Sequence, residues 1–309
     1  MPTPPYFLWD HWYIAARSEE ISTKGGLART IMDTRIALYR TQEGRAVAIS
    51  DRCPHLGASL AQGRVKDGCL HCPFHGWVFD QEGRCRDIPA LGEPTSQLSN
   101  LKIRHYPTVE AGGLVWVFMR SDPDKLPTTV PIPRELNDPG WGYGLIEDVW
   151  PTNYTRFIEN MLDMVHLPYV HAKTIGRFVK ARGPLEPKVT EVENGFDLQD
   201  GQLTFRWPNV HRLSISPKMI NYMWGVPVSA TETRIYILAF RKFARIRALN
   251  PVFDFVNRRI LNEDRGIILS QEPKYVTYGP DGDLLMRPDT AARMYRRLLE
   301  QQLDGSKSD

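Results

Sequence analysis

No stretch of this 309-residue chain is apolar for the ~18 residues that a membrane-crossing helix needs. The N-terminus, Met1-Pro-Thr-Pro-Pro-Tyr6, lacks the basic-then-apolar pattern of a signal peptide. Neither a membrane span nor export is expected. An excess of one charge is also missing, since 39 Lys and Arg against 36 Asp and Glu leave a net charge of +3. Nucleic-acid binding rests on a concentrated basic patch, so composition argues against it. Four cysteines are too few for a disulfide framework, and a reducing cytoplasm is the compartment that suits them. No G-x-G-x-x-G or other nicotinamide or flavin signature occurs, so the chain is not expected to draw electrons from a pyridine nucleotide unaided. Internal repeats are absent. What remains, 42% hydrophobic residues over this length, is enough for one large or two ordinary domains.

Two of the four cysteines are accompanied by histidines. Cys53-Pro54-His55 and Cys72-Pro73-Phe74-His75-Gly76-Trp77 each offer one thiolate and one imidazole, and the intervening residues let two loops meet over one site. Two Cys and two His suit a Rieske [2Fe–2S] cluster, with thiolates on one iron and imidazoles on the other. Such clusters have potentials of roughly −150 to +300 mV. Cys69-x2-Cys72 also fits half of a zinc ribbon, or a redox dithiol. A ribbon, however, wants a second pair at ribbon spacing, and a dithiol is expected to open a helix. Gly68 to Pro73 reads instead as a strand entering a turn. The cluster reading leads, a zinc-stapled binding module follows, and purely structural cysteines come last.

Residues 51–89, from Asp-Arg-Cys-Pro-His-Leu-Gly-Ala through Cys-Pro-Phe-His-Gly-Trp-Val-Phe-Asp to Gly83 and Ile88-Pro89, resemble the Rieske domain of Rieske non-heme iron oxygenases. β-rich runs at Ile36–Arg40, Ala46–Ile49, Trp77–Phe79 and Leu114–Phe118 agree with a small antiparallel β domain. Members often carry a basic residue after the first histidine and a tyrosine before the second. Leu56 and Phe74 stand there, leaving ligation intact but changing the surroundings that tune the potential.

A stretch dense in Pro and Asp, Arg120 to Gly140, reads as a linker. The expected division is a domain over 1–120, a linker over 121–140, a second domain over 141–303 and a frayed tail over 304–309. The second domain shows helical patterning near 154–165, 251–271 and 289–303, with strands near 195–207, 214–224 and 230–243. This is an α+β arrangement, long helices against an antiparallel sheet.

Within it, Asn160, Asp163 and His166 at i, i+3, i+6 predict one polar ridge on a helix. Pro168 would kink or end that helix so that His171 converges with His166. Met161, Leu162, Met164 and Val165 surround the ridge, so its polar groups are expected to be buried for a reason. The spacing D-x2-H-x4-H is similar to the mononuclear iron motif of the same family. The resemblance implies ferrous iron held by two histidines and one carboxylate, with O2 as co-substrate. The carboxylate falls at Asp264 in Asn262-Glu263-Asp264-Arg265, with Glu263 and Asp254 as rivals.

The resemblance further implies a helix-grip (START/SRPBCC-like) second domain. It implies a terminal oxygenase of the α-only type, similar to vanillate and dicamba O-demethylases. Such a protein hydroxylates or O-/N-demethylates a small aromatic or alicyclic molecule. It would form a homotrimer in which Asp163 links His75 of one copy to His166 of the next. An NAD(P)H-dependent reductase, with or without a ferredoxin, would supply electrons. Arg64, Lys66, Arg84 and Arg86 flank the cluster loops and suit an acidic donor, though an ordinary solvated basic face reads the same way. Phe205, Trp207, Met219, Tyr222, Met223 and Trp224 are candidates for a substrate wall or plain core. A Rieske-type electron carrier without catalytic iron is the alternative, and it leaves the second motif unused.

Overall fold

The computed structural model describes residues 4–92, 98, 100–179, 187–279 and 282–305. They fall into two units, Trp9–Ile132 and the residues from Pro133 onward, the latter joined by those preceding Trp9.

The first unit is built of strands β1 (His11–Arg17), β2 (Leu27–Ile31), β3 (Thr34–Arg40), β4 (Ala46–Ser50), β5 (Arg64–Lys66), β6 (Cys69–His71), β7 (Val78–Phe79), β8 (Cys85–Asp87), β9 (His105–Tyr106), β10 (Thr108–Ala111) and β11 (Leu114–Met119). They form antiparallel sheets in the orders β1-β11-β10, β2-β3-β4-β9 and β5-β6-β7-β8. The sequence of β11, Leu-Val-Trp-Val-Phe-Met, does not alternate and is buried at every position, as a strand covered on both faces requires. Cys53, Leu60, Leu70, Cys72, Phe79 and Cys85 share one small core with Tyr39 and Ile49. The cysteine loops therefore rest on packed apolar side chains.

The second unit carries β12 (Gly142–Trp150), β13 (Val189–Val192), β14 (Gly195–Leu198), β15 (Leu203–Arg206), β16 (Val210–Ser216), β17 (Met219–Ser229) and β18 (Glu232–Arg241) in one antiparallel sheet, order β12-β18-β17-β16-β15-β14-β13. Its helices are α1 (Tyr154–Leu162), α2 (Leu167–Val170), α3 (Asn250–Ile268) and α4 (Thr290–Gly305). Phe157, Ile158 and Leu162 of α1, Leu261 and Ile268 of α3, and Tyr295, Leu299 and Leu303 of α4 join Phe196, Phe205, Met223 and Ile237 of the sheet in one core. A Cβ at Gly225 would lie 2.6 Å from Phe157 Cδ1, so only glycine lets α1 seat this closely on β17. The α+β, helix-grip expectation holds.

The boundaries lie elsewhere than the punctuation of the sequence suggests. Tyr6 and Leu8 belong to the second unit's core, and the Tyr6 hydroxyl donates to the Val276 carbonyl at 3.0 Å. At the other end, Glu135 is buried and accepts from the Tyr222 hydroxyl at 2.9 Å. Residues from 133 on are thus part of the second unit rather than linker. Helix α4 continues through the expected start of the tail, because Leu299 and Leu303 bury its last turns. Residues 306–309 lie outside the described residues.

Candidate metal centres

The two cysteine loops of the first unit are the same turn made twice. In each, the glycine four residues after the cysteine donates to the cysteine carbonyl, Gly57 to Cys53 at 2.9 Å and Gly76 to Cys72 at 3.1 Å. The cysteine amide is in turn held from five residues on, Cys53 by Ala58 at 2.9 Å and Cys72 by Trp77 at 2.8 Å. Gly57 and Gly76 have φ of +78° and +74°, the left-handed region that glycine enters without strain. Cys53 and Cys72 are buried while His55 and His75 are exposed, so the thiols face inward and the imidazoles face outward. The imidazole rings lie 4.8 Å apart, and His55 stacks on Trp77 at 4.8 Å and 8°. Phe74 packs on His75 at 3.9 Å.

Burial, with the neighbouring Cys72 adding to it, pushes the Cys53 thiol up to about 11. Such a buried thiol becomes thiolate most readily when a cation takes the proton's place. Donor chemistry and placement fit a cluster with sulfur on the inner iron and nitrogen on the outer. Cys69 and Cys85 sit instead on β6 and β8, and Cys85 Sγ lies 3.6 Å from the Asp87 carbonyl. One supporting residue went unnoticed in the sequence. Asp51 is fully buried and accepts from Ser59 Oγ at 2.8 Å, the Ala61 amide at 2.7 Å and Arg35 at 2.7 Å. It pins the first loop from below, and its place in the Asp-Arg-Cys-Pro-His run was the available signal. Arg64, Lys66, Arg84 and Arg86 are exposed.

In the second unit α1 starts cleanly, with Asn153 accepting from the Thr155 amide at 3.1 Å. It stops at Leu162, sooner than the ridge required. Asp163 is already extended (φ −81°, ψ 128°), and its Oδ1 accepts from the Val165 amide at 2.7 Å to begin a turn. Asp163 and His166 therefore do not share a helical ridge with Asn160. Pro168 neither kinks nor ends a helix; it occupies the first turn of α2, where its missing N–H costs nothing. His166 precedes α2 and His171 follows it, so a single turn of helix sets the two imidazoles side by side at 5.2 Å.

Helix α3 completes the group. His166, His171 and Asp264 each present one ligand atom, all within 4.8 Å of one another. Asp264 Oδ1 lies 3.4 Å from His166 Nε2 and 3.2 Å from His171 Nε2. The same oxygen accepts from Asn160 Nδ2 at 2.9 Å. Asp163 Oδ2 stands 3.4 Å from His166 Nδ1. Burial opposes protonation of His171, yet the carboxylates of Asp264 and Glu263 outweigh it and raise its pKa. Two imidazole nitrogens and a buried carboxylate oxygen aimed at one point form the donor set of a non-heme ferrous site with open positions, and the residues fit it.

Of the rivals, Glu263 reaches the opposite ring nitrogen, His171 Nδ1, at 2.8 Å. Asp254 is ten residues earlier on α3, ~15 Å along its axis, beside Gly144 and Arg241. The aromatic candidates do not form one wall. Strand alternation sends Met223 with Phe205 and Trp207 into the core. Tyr222 and Trp224 stack on each other at 5.9 Å on the other face, and Met219 is half-buried at the start of β17.

Residues 11–107 match the family described as the Rieske [2Fe-2S] domain. Residues 150–214 and 199–305 match the vanillate O-demethylase oxygenase C-terminal domain. The chain belongs to the Rieske oxygenase family. Members carry the Rieske cluster and a mononuclear iron and use O2. Among curated relatives, the toluene-4-sulfonate monooxygenase iron-sulfur subunit TsaM2 of Comamonas testosteroni (a putative assignment for that protein) is 33% identical over 203 residues, 63% of this chain and 54% of the relative. The dicamba O-demethylase oxygenase component of Stenotrophomonas maltophilia is 36% identical over 169 residues, 53% and 48% of the two chains. The matched part thus spans about half the length of these relatives. Solved structures agree in fold. NdmA of Pseudomonas putida CBB5 superposes with a TM-score of 0.83 at 23% identity, over 97% of this chain and 92% of that one. Dicamba monooxygenase bound to dicamba gives 0.80 at 23% identity, over 98% and 99%. No helix among the described residues is long and apolar enough to cross a membrane.

Proposed function

We propose that this Rieske oxygenase is the terminal oxygenase of a multicomponent system, hydroxylating or O-/N-demethylating a small aromatic or alicyclic molecule. Cys53, His55, Cys72 and His75 hold the cluster in the first unit, and His166, His171 and Asp264 hold iron in the second. The observation that carries this reading is the convergence of two Nε2 atoms and one buried carboxylate oxygen. An electron carrier would have no use for it, which disfavours the alternative. Iron bound there supplies O2 activation.

The protein's own groups do the positioning. Asn160 fixes the Asp264 oxygen that faces both imidazoles, and α2 fixes the spacing of the histidines. Asp163, whose side chain is 39% exposed beside His166, can accept from a donor outside its own unit. This supports a homotrimer in which Asp163 of one copy meets the cluster histidine His75 of another. Electrons come from an NAD(P)H-dependent reductase, with or without a ferredoxin, in the cytoplasm. The exposed Arg64, Lys66, Arg84 and Arg86 suit an acidic donor.

Metal analysis tests the reading. His166→Ala, His171→Ala and Asp264→Ala should each lose one iron per chain and all turnover while keeping the visible spectrum of the cluster. Asp163→Asn should keep both metals but slow reoxidation of the reduced cluster by orders of magnitude. Full iron content in Asp264→Ala would refute the ligand set, and wild-type reoxidation in Asp163→Asn would refute the inter-subunit route.

A further inference from the structure

We propose that Glu263 is the positioning residue of the iron site, acting through His171 rather than on the metal. The inference rests on the ligand set proposed above. Glu263 and Asp264 are consecutive on α3, ~100° apart around its axis. Between them they grip one imidazole at both nitrogens, Glu263 Oε2 at Nδ1 (2.8 Å) and Asp264 Oδ1 at Nε2 (3.2 Å). An ionised carboxylate can only accept, so the Glu263 contact places a hydrogen on Nδ1; Asp264 favours a second one on Nε2, and a metal held by His171 and Asp264 would take the place of that one. Glu263 thereby selects the tautomer as well as the ring angle.

Glu263 is itself held. The Thr174 hydroxyl donates to the same Oε2 at 2.6 Å. Thr174 is in turn fixed by the turn that follows His171, where its amide and that of Gly176 both donate to the His171 carbonyl at 2.9 Å. That turn admits nothing larger than glycine at 176, since a Cβ there would lie 1.9 Å from the Leu167 carbonyl oxygen. His171 is therefore anchored through backbone, ring and neighbour, and is 2% exposed.

His166 is not anchored in this way. Its Nδ1 is buried without a well-directed hydrogen bond, and Asp163 stands off at 3.4 Å. The two histidines are thus unequal: His171 is the fixed arm of the site, and His166, beside the half-exposed Asp163, is the one that can adjust. Carboxylate partners of ligating histidines typically contribute about 10–100-fold to metal affinity.

The test titrates the full-length protein, cluster intact and mononuclear metal removed, with Fe(II) under anaerobic conditions. Co(II) serves as a second probe whose visible absorption reports ligand geometry. Glu263→Ala should weaken Fe(II) binding about 10–100-fold and shift the Co(II) bands. Glu263→Gln, whose carbonyl still accepts from Nδ1–H, should recover most of that loss. Thr174→Val, which leaves Glu263 in place but unheld, should fall between wild type and Glu263→Ala. If His171→Ala loses the metal while Glu263→Ala binds with wild-type affinity and an unchanged Co(II) spectrum, the positioning role is wrong. If His171→Ala also binds with wild-type affinity, the ligand set itself has failed. Should Glu263→Ala not fold, Glu263→Gln and Thr174→Val decide, and wild-type affinity in Thr174→Val overturns the proposal.

Discussion

Replacing His211 by leucine should remove a specific acid sensitivity of the second unit. His211 lies on β16, paired with Phe205 of β15 and Met223 of β17. It faces the core, with the Phe157 and Phe205 rings 6.2 and 5.2 Å from its own. It has no exposed surface, and neither ring nitrogen makes a well-directed hydrogen bond, although the carbonyls of Met223 and Ile158 lie alongside and favour the proton slightly. Burial dominates and lowers its pKa to about 3, against ~6.5 in an unfolded chain. The folded state thus refuses a proton that the unfolded state accepts. Stability is complete above about pH 6.5 and is lost as the pH falls toward 3. At pH 5 the loss is about 1.5 pKa units at 1.36 kcal/mol each, or ~2 kcal/mol. For a unit of this size that corresponds to about 4–8 °C in melting temperature. His211→Leu keeps an apolar group of similar size and cannot titrate. Thermal or urea unfolding followed at pH 7, 6 and 5 should show the variant losing ~2 kcal/mol less than the parent over that range. All other side chains are common to both proteins, so their contributions cancel in the comparison. Equal losses in the two proteins would refute the argument.

Three further outcomes follow from the same structure. Arg296 donates to Glu159 at 2.9 Å, to Asp283 at 2.8 Å and to the Thr277 carbonyl at 2.7 Å, joining α4 to α1. Arg296→Met should cost up to about 3–5 kcal/mol in urea unfolding by leaving the largely buried Glu159 carboxylate only Arg156, at 3.4 Å, and Glu159→Leu added to it should recover part of that. Asp283 bears on pH as well. Burial opposes its ionisation, but Arg156 and Arg296 hold its carboxyl below the usual carboxylate range. Its share of stability is present above about pH 4 and fades as the pH falls further, so Asp283→Asn should flatten the acid limb of a pH–stability curve below that point. In the first unit, Cys72→Ser should abolish the visible absorption and the reduced-state electron-spin signal of the cluster, whereas Cys69→Ser and Cys85→Ser should leave both; an intact signal in Cys72→Ser would remove the cluster assignment.

The sequence alone determined what is local. The turns around Cys53 and Cys72 are legible because each needs its cysteine, its proline and a left-handed glycine within five residues, and Gly57 and Gly76 supply the last. The α+β division was legible from periodicity, and the donor types of both centres from residue chemistry. What the sequence misdirected was the path between donors. Helical spacing promised a ridge through Asn160, Asp163 and His166, but Asp163 caps its own turn and ends the helix, and Pro168 starts the next one. Domain limits were misplaced for a similar reason. Proline and aspartate mark irregular backbone, yet whether irregular backbone is linker or domain depends on what it packs against, as Tyr6, Leu8 and Glu135 demonstrate. The resemblance pointed to Asp264, but the different partners of Glu263 and Asp264 are visible only in the tertiary structure. Neighbours on a helix differ in direction alone, and the fold places one at each nitrogen of the same imidazole, across more than ninety residues of intervening chain.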